Sequence, residues 1–252
     1  MKFSWLFNLF AKNKQKGKQN SIHDERLPWE EFQDEEQEEY EDNQENERNK
    51  LTLNEYKKAN SLGVMKPCNS ENAMMGSRFL NTDSEDFLEN CFVYLNRIQL
   101  KQNLTISLKI MKGGSRNFKK IVVSNQVKET ELDIQKHLNV EDSIEGVWQA
   151  FLMKSFLDKI KNIKLYFIFS CDDIYSIKTF RNEDLSSELQ KYDITPYIGK
   201  YKDGYFLSYC YFSQWGGLIR QNIKISVYNN QITTYRVFQG ISLYKYDCGF
   251  MI

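Results

Sequence analysis

The stretch 205-YFLSYCYFSQWGGLIRQNIKISVYNNQITTYRVFQGISLYKYD-247 decides the fold. Runs of β-branched and aromatic residues are separated by Trp215-Gly216-Gly217 and by Asn229-Asn230. These are turn residues, so the segment reads as antiparallel strands joined in a meander. QITTYRVFQ and ISLYKYD read as two further runs of that meander. Ile223, Ile225 and Val227 fall on one side and Lys224 and Ser226 on the other, the alternation of a sheet with one buried face. The first strand differs. Tyr205, Tyr209 and Tyr211 share a face opposite Phe206 and Phe212, so both of its faces are aromatic. Such a strand is either central and covered on both sides or part of a binding surface.

Working upstream, IKLYFIFS (163–170) predicts a buried strand and EDLSSELQKY (183–192) a short polar helix. VEDSIEGVWQAFLMKSFLDKIKN (140–162) predicts the clearest helix, with acids at its start and lysines at its end to suit the macrodipole. Asp142 or Ser143 is its expected cap. Ile144, Val147, Trp148, Phe151, Leu152, Phe156 and Ile160 form one wide apolar face, with Trp148 as a core anchor. LTISLKIMKGGSRNFKKIVVS (104–124) predicts a hairpin about Gly113-Gly114. Asp83 to Leu100 predicts a helix with Ser84 as its cap, 68–82 a loop, and LTLNEYKKANSLGV (51–64) a helix closed near Gly63. The expected class is α+β: helices packed on a mainly antiparallel sheet with a C-terminal β-meander. One globular domain over 51–252 is expected, its core from about residue 70.

The formal net charge of zero conceals three segments. Residues 1–23 carry five lysines and no acid, residues 24–47 carry thirteen acids and Arg26, and the remainder carries an excess of seven positive charges. The acidic run is too polar and too charged to offset its ordering entropy by burial, which predicts a disordered linker over 19–50. Partial helix is the alternative, since Glu and Gln are good helix formers. FSWLFNLF near the start is too short to span a bilayer, and it is followed by lysines instead of a small-residue cleavage site. Phe3, Leu6, Phe7 and Phe10 fall at helical spacing and Trp5 widens the stripe. Residues 1–18 therefore read as an amphipathic basic anchor for an anionic membrane surface, for a partner, or for the protein's own core.

Candidates for chemistry are few. Five widely spaced cysteines suit free thiols in a reducing compartment. Only two histidines are present, His23 and His137, and neither accompanies a nucleophile motif. No cofactor fingerprint and no metal-ligand spacing occurs. Asp172 and Asp173 beyond a buried strand are the best acidic pair, although Ser170-Cys171-Asp172-Asp173 also reads as a helix cap. Lys109, Lys112, Arg116, Lys119 and Lys120 crowd the hairpin, but Phe118 is its one aromatic, which fits a solvated hairpin better than a nucleic-acid reader.

These features predict a non-enzymatic intracellular protein-interaction protein, of a binding or inhibitory and immunity type, tethered by an N-terminal arm. The alternative is a peripheral protein on the inner face of the membrane, and a third reading is a hydrolase using Asp172 and Asp173. Cytoplasmic location and an unidentified protein partner follow from the first. Tyr209, Tyr211 and Trp215 are the expected partner-binding residues, because Tyr and Trp give large contact area at low entropy cost. The competing explanation for them is a second layer of core beneath the helix at 141–161.

Overall fold

The computed structural model describes residues 28–81, 87–113, 116–125, 127–161, 165–179 and 181–246, some by their backbone course alone. The chain divides into a unit of residues 1–47 and a unit of residues 48–252. The proposed anchor residues Phe3, Trp5, Leu6, Phe7 and Phe10 lie outside the described residues. No described helix is long and apolar enough to cross a membrane.

The first element, α1, is helical backbone over Pro28–Ser61. From Pro28 the acidic run has helical backbone, the alternative to a disordered linker over 19–50. Its many Glu and Gln residues favour that backbone. Within the second unit, α1 buries Thr52 and Ala59, and it closes at Ser61 with Gly63 in the left-handed region (φ 66°) as anticipated.

The rest of the domain is α+β, with a mainly antiparallel sheet and a C-terminal meander. After β1 (Lys66–Pro67) comes α2 (Ser70–Asn81), in a segment expected to be loop. The Asn69 side chain accepts from Asn72 N at 2.8 Å and caps it, and Phe79 and Leu80 bury its inner face. The helix expected over 83–100 is shorter: α3 covers Phe87–Tyr94, and Ile98–Leu100 forms β2. The turn is fixed from a distance, because Arg97 N donates to Gln149 Oε1 at 2.7 Å. The hairpin appears as β3 (Thr105–Gly113) and β4 (Arg116–Ser124), with β5 (Glu129–Glu131) added to its edge.

A short α4 (Ile134–His137) leads into β6 (Leu138–Val140), which pairs with β2. The long helix α5 spans Ile144–Lys161. Ser143 caps it, its Oγ accepting from Gly146 N at 3.0 Å. Val147, Trp148, Gln149, Ala150, Phe151, Leu152 and Met153 are all buried. Its middle two turns, from Val147 to Met153, are thus covered on every face and lie inside the domain. Ile144, placed on the apolar face by spacing, is 38% exposed at the first turn.

Then follow β7 (Leu165–Ile168), α6 (Cys171–Tyr175), α7 (Ser186–Leu189), β8 (Tyr197–Tyr201), β9 (Gly204–Ser213), β10 (Gly217–Tyr228) and β11 (Gln231–Tyr244). The principal sheet has the order β1-β8-β9-β10-β11, with β7 also paired to β9, and every pairing is antiparallel. QITTYRVFQ and ISLYKYD form one strand instead of two. Gly240 stays in register opposite Gln221, and the β10–β11 ladder absorbs extra residues at three bulges.

Candidate functional site

The period of two on β9 sends Tyr205, Leu207, Tyr209 and Tyr211 to the face that α5 covers, and Phe206, Ser208, Cys210 and Phe212 to the other. The Phe151 ring lies 4.6 Å from that of Tyr209, and Phe167 lies 6.0 Å from it. Tyr209 is 8% exposed and Tyr211 is half-buried against the same core. Burial pushes the Tyr209 phenol well above its ordinary value, with Tyr211 and Asp158 adding to the shift, and pushes Tyr211 up to about 12. Trp215, on the β9–β10 turn, is 47% exposed.

The three residues expected to form one partner-binding patch are therefore not gathered on one surface. Tyr209 is a packing residue. The reason is that β9 is central: β7 and β8 flank one edge, β10 the other, and both faces are covered. Trp215 alone of the trio is well exposed.

The acidic pair is also divided. Asp173 is 5% exposed, and its Oδ2 accepts from Phe169 N, Ser170 N, Ser170 Oγ and Ser77 Oγ. With Ser170 it forms a capping box on α6 and ties α2 to the end of β7. Asp172 points to solvent beside it. His137 Nδ1 accepts from Asp133 N at 2.9 Å, a bond internal to the α4 turn. Cys68, Cys91, Cys171 and Cys210 are free thiols; burial pushes Cys68 up to about 12 and Cys91 and Cys210 up to about 11. Among the described residues no group of three or more His, Cys, Asp or Glu is placed to hold a metal. On the hairpin, Lys109 pairs with Glu129 and Lys120 with Glu131 across the sheet, so β5 supplies counter-charges for two of its basic residues.

The opposite face of the principal sheet carries a feature that sequence reasoning missed. On α1 the stripe Thr52, Tyr56 and Ala59 seats the helix, with Tyr56 against Phe206 and Phe238 at 6.2 and 5.7 Å between ring centres. Beside that seat an open groove of about 520 Å³ runs between α1 and the strands. Arg48 and Lys58 reach it from the helix, Lys202 from the β8–β9 turn, and Lys224 and Arg236 from paired positions on β10 and β11. Glu55 is the acidic residue of its lining.

Glu55 divides its carboxylate, Oε1 to Lys202 Nζ at 2.9 Å and Oε2 to Lys224 Nζ at 3.0 Å. Burial opposes its ionisation, yet the two lysines hold its carboxyl below the ordinary value of 4.5. Lys224 also meets Asp203 at 3.1 Å and lies over the Phe206 ring at 5.7 Å. Gly204 makes room for this arrangement. A Cβ there would stand 2.7 Å from Lys224 Cε.

Lys224 and Ser226 are read from sequence as the polar side of their strand, and that alternation is the one local sign of the groove. The arrival of Arg48 and Lys58 from more than 160 residues away leaves no local signal. No family model matches this chain, and neither the curated proteins nor the solved structures include a match to it.

Proposed function

We propose that this is a non-enzymatic interaction protein that binds another protein through the turn end of its C-terminal sheet, with Trp215 as the principal contact. The observation that carries this reading is the position of Trp215. A large indole is left about half exposed on a tight turn, at the end of a sheet whose other aromatics, Tyr228 at the opposite turn aside, are buried or half-buried. Tryptophan at such a place offers a partner much apolar area at little entropic cost. Ile241 is also substantially exposed, in the half of β11 that pairs with the start of β10 at this end of the sheet. The three bulges of β10 and β11 break the regular edge that an added strand would need, which favours recognition by side chains over strand addition. In this reading the basic, apolar residues 1–18 are a tether, on a partner or on an anionic membrane surface.

The test is recovery of bound proteins from an extract of the source cells by immobilised wild-type protein and by Trp215→Ala. A protein recovered by the wild type and lost with the variant, at an unchanged melting temperature, supports the reading. Equal recovery by both removes Trp215 from it. Co-sedimentation of the full chain with phosphatidylserine vesicles, with and without residues 1–18, then separates a membrane tether from a protein one.

A further inference from the structure

We infer that the groove between α1 and the β10–β11 face is a binding site for a small organic phosphate carrying at least two negative charges. It is independent of Trp215 and of the protein partner.

The first argument is charge. Five basic side chains line the groove against one carboxylate, Glu55. Glu55 is already shared by Lys202 and Lys224, and Asp203 stands behind Lys224. Lys58 and Arg236 make no ion pair among the described residues. With Arg48 left out of the balance, Lys58 and Arg236 still leave the groove a surplus of positive charge after its internal pairs are formed. In a concavity with protein walls such a surplus focuses the field and raises the local concentration of anions.

The second argument is geometry. The cations line the groove from three elements: the helix, the β8–β9 turn and the floor of the sheet. A flat carboxylate offers two oxygens in one plane, whereas a phosphate offers oxygens in three directions. Guanidinium groups add paired, parallel donors that match phosphate oxygens two at a time. The floor is also fixed in advance. Lys224 is 13% exposed and held by Glu55, Asp203 and the Phe206 ring, so little side-chain freedom remains to be lost on binding.

The third argument is size and lining. A volume of about 520 Å³ lies in the range of small-molecule sites. Leu51 and Tyr201 add apolar surface to the lining, and Thr234 adds a hydroxyl. That combination suits an organic group attached to the phosphates, with the phosphates over Lys224 and Arg236.

Isothermal titration of the full chain at low salt tests this, with sodium pyrophosphate as the probe and inorganic phosphate and citrate as comparisons. Saturable one-to-one binding of pyrophosphate is expected, at least about tenfold tighter than inorganic phosphate or citrate. Arg236→Gln and Lys58→Gln should each weaken it by about fivefold or more, while Lys57→Gln, one position outside the groove on an exposed part of the same helix, should leave it unchanged. Lys58→Gln keeps a good helix former at an exposed position, so its fold is maintained whatever Arg236→Gln does. Absence of saturable pyrophosphate binding overturns the proposal. So does equal affinity for citrate, or equal weakening by Lys57→Gln, which would reduce the site to the general field of a basic surface.

Discussion

The two faces of the principal sheet are built on different terms. Toward α5, the side chains of β9 and β10 join one continuous core in which Trp148, Phe151, Phe167, Phe169 and Tyr209 touch in series. On the opposite face the apolar cover is divided. One small cluster gathers Phe206 under α1, and another gathers Cys210, Phe212 and Leu218 under α6 and α7. Between them the sheet presents Ser208, Arg220 and Asn222. Arg220 bridges to the backbone oxygens of Asp193 and Thr195, to Ser208 Oγ and to the Asp193 carboxylate. A continuous apolar face supplies stability without directional constraint. A divided face gives up some of that in return for fixed polar groups such as Arg220, and the charged groove opens on the same face beside the α1 cluster.

If this contrast is right, the largest loss of stability comes from the aromatic face. Phe151→Ala should lower the unfolding free energy by about 3–5 kcal/mol in urea denaturation, because Phe151 is fully buried and its truncation leaves a cavity in the core. A loss below about 1 kcal/mol would mean that this core is far more plastic than its ring contacts imply. Arg220→Ala, on the divided face, should cost about 2–3 kcal/mol, since it strands the Thr195 and Asp193 oxygens that the guanidinium now serves. A neutral Arg220→Ala would show that the polar middle of this face contributes nothing to holding the 193–197 segment in place.

The smallest effect belongs to the groove, and it depends on pH. The Glu55 carboxyl titrates below its ordinary value, so its pairing contributes stability fully above about pH 4.5 and loses it as pH falls through the folded-state value. Glu55→Gln should therefore cost about 1 kcal/mol or less at neutral pH, as for a partly exposed ion pair. The gap between the two proteins should close as pH falls below 4.5. A gap that widened on acidification would reverse the assigned sign.

Local patterns in the sequence account for the elements with strong periodicity. The alternation Ile223, Lys224, Ile225, Ser226, Val227 fixes which way β10 faces, and the Gly-Gly and Asn-Asn turns fix its ends. The apolar spacing of Val147 through Phe156 fixes α5. What was not legible depends on distant partners. The three-residue strands β2 and β6 exist because they pair with each other across about forty residues. The helix α2 contains Gly76, two Met and two Asn, a composition close to that of a loop, and is held by its packing on α5 and β7. Of the two expected caps, Ser143 takes the role, while Asp142 accepts from Tyr205 OH at 2.7 Å and pairs with Lys200 at 3.0 Å, a choice that depends on these distant partners. For the candidate sites, the chemistry of Trp215 was readable and its exposure was not. Tyr209 and Tyr211 carry the same chemistry, and only the cover on β9 separates them from Trp215.

The most direct test compares two tryptophans of the same domain, Trp148 in the α5 core and Trp215 on the turn. Trp148 is fully buried, and its Nε1 donates to Asn72 O at 3.0 Å. Unfolding free energy and recovery of bound protein from extract are measured for Trp148→Ala, Trp215→Ala and the wild type. Trp148→Ala should lose about 3–5 kcal/mol, as a buried aromatic does. Trp215→Ala should lose less than about 1 kcal/mol and with it nearly all recovery of the partner. A Trp215→Ala protein that recovers the partner as the wild type does, or that loses recovery only in step with its stability, would contradict the division of labour between a core that holds the domain together and an exposed turn that binds.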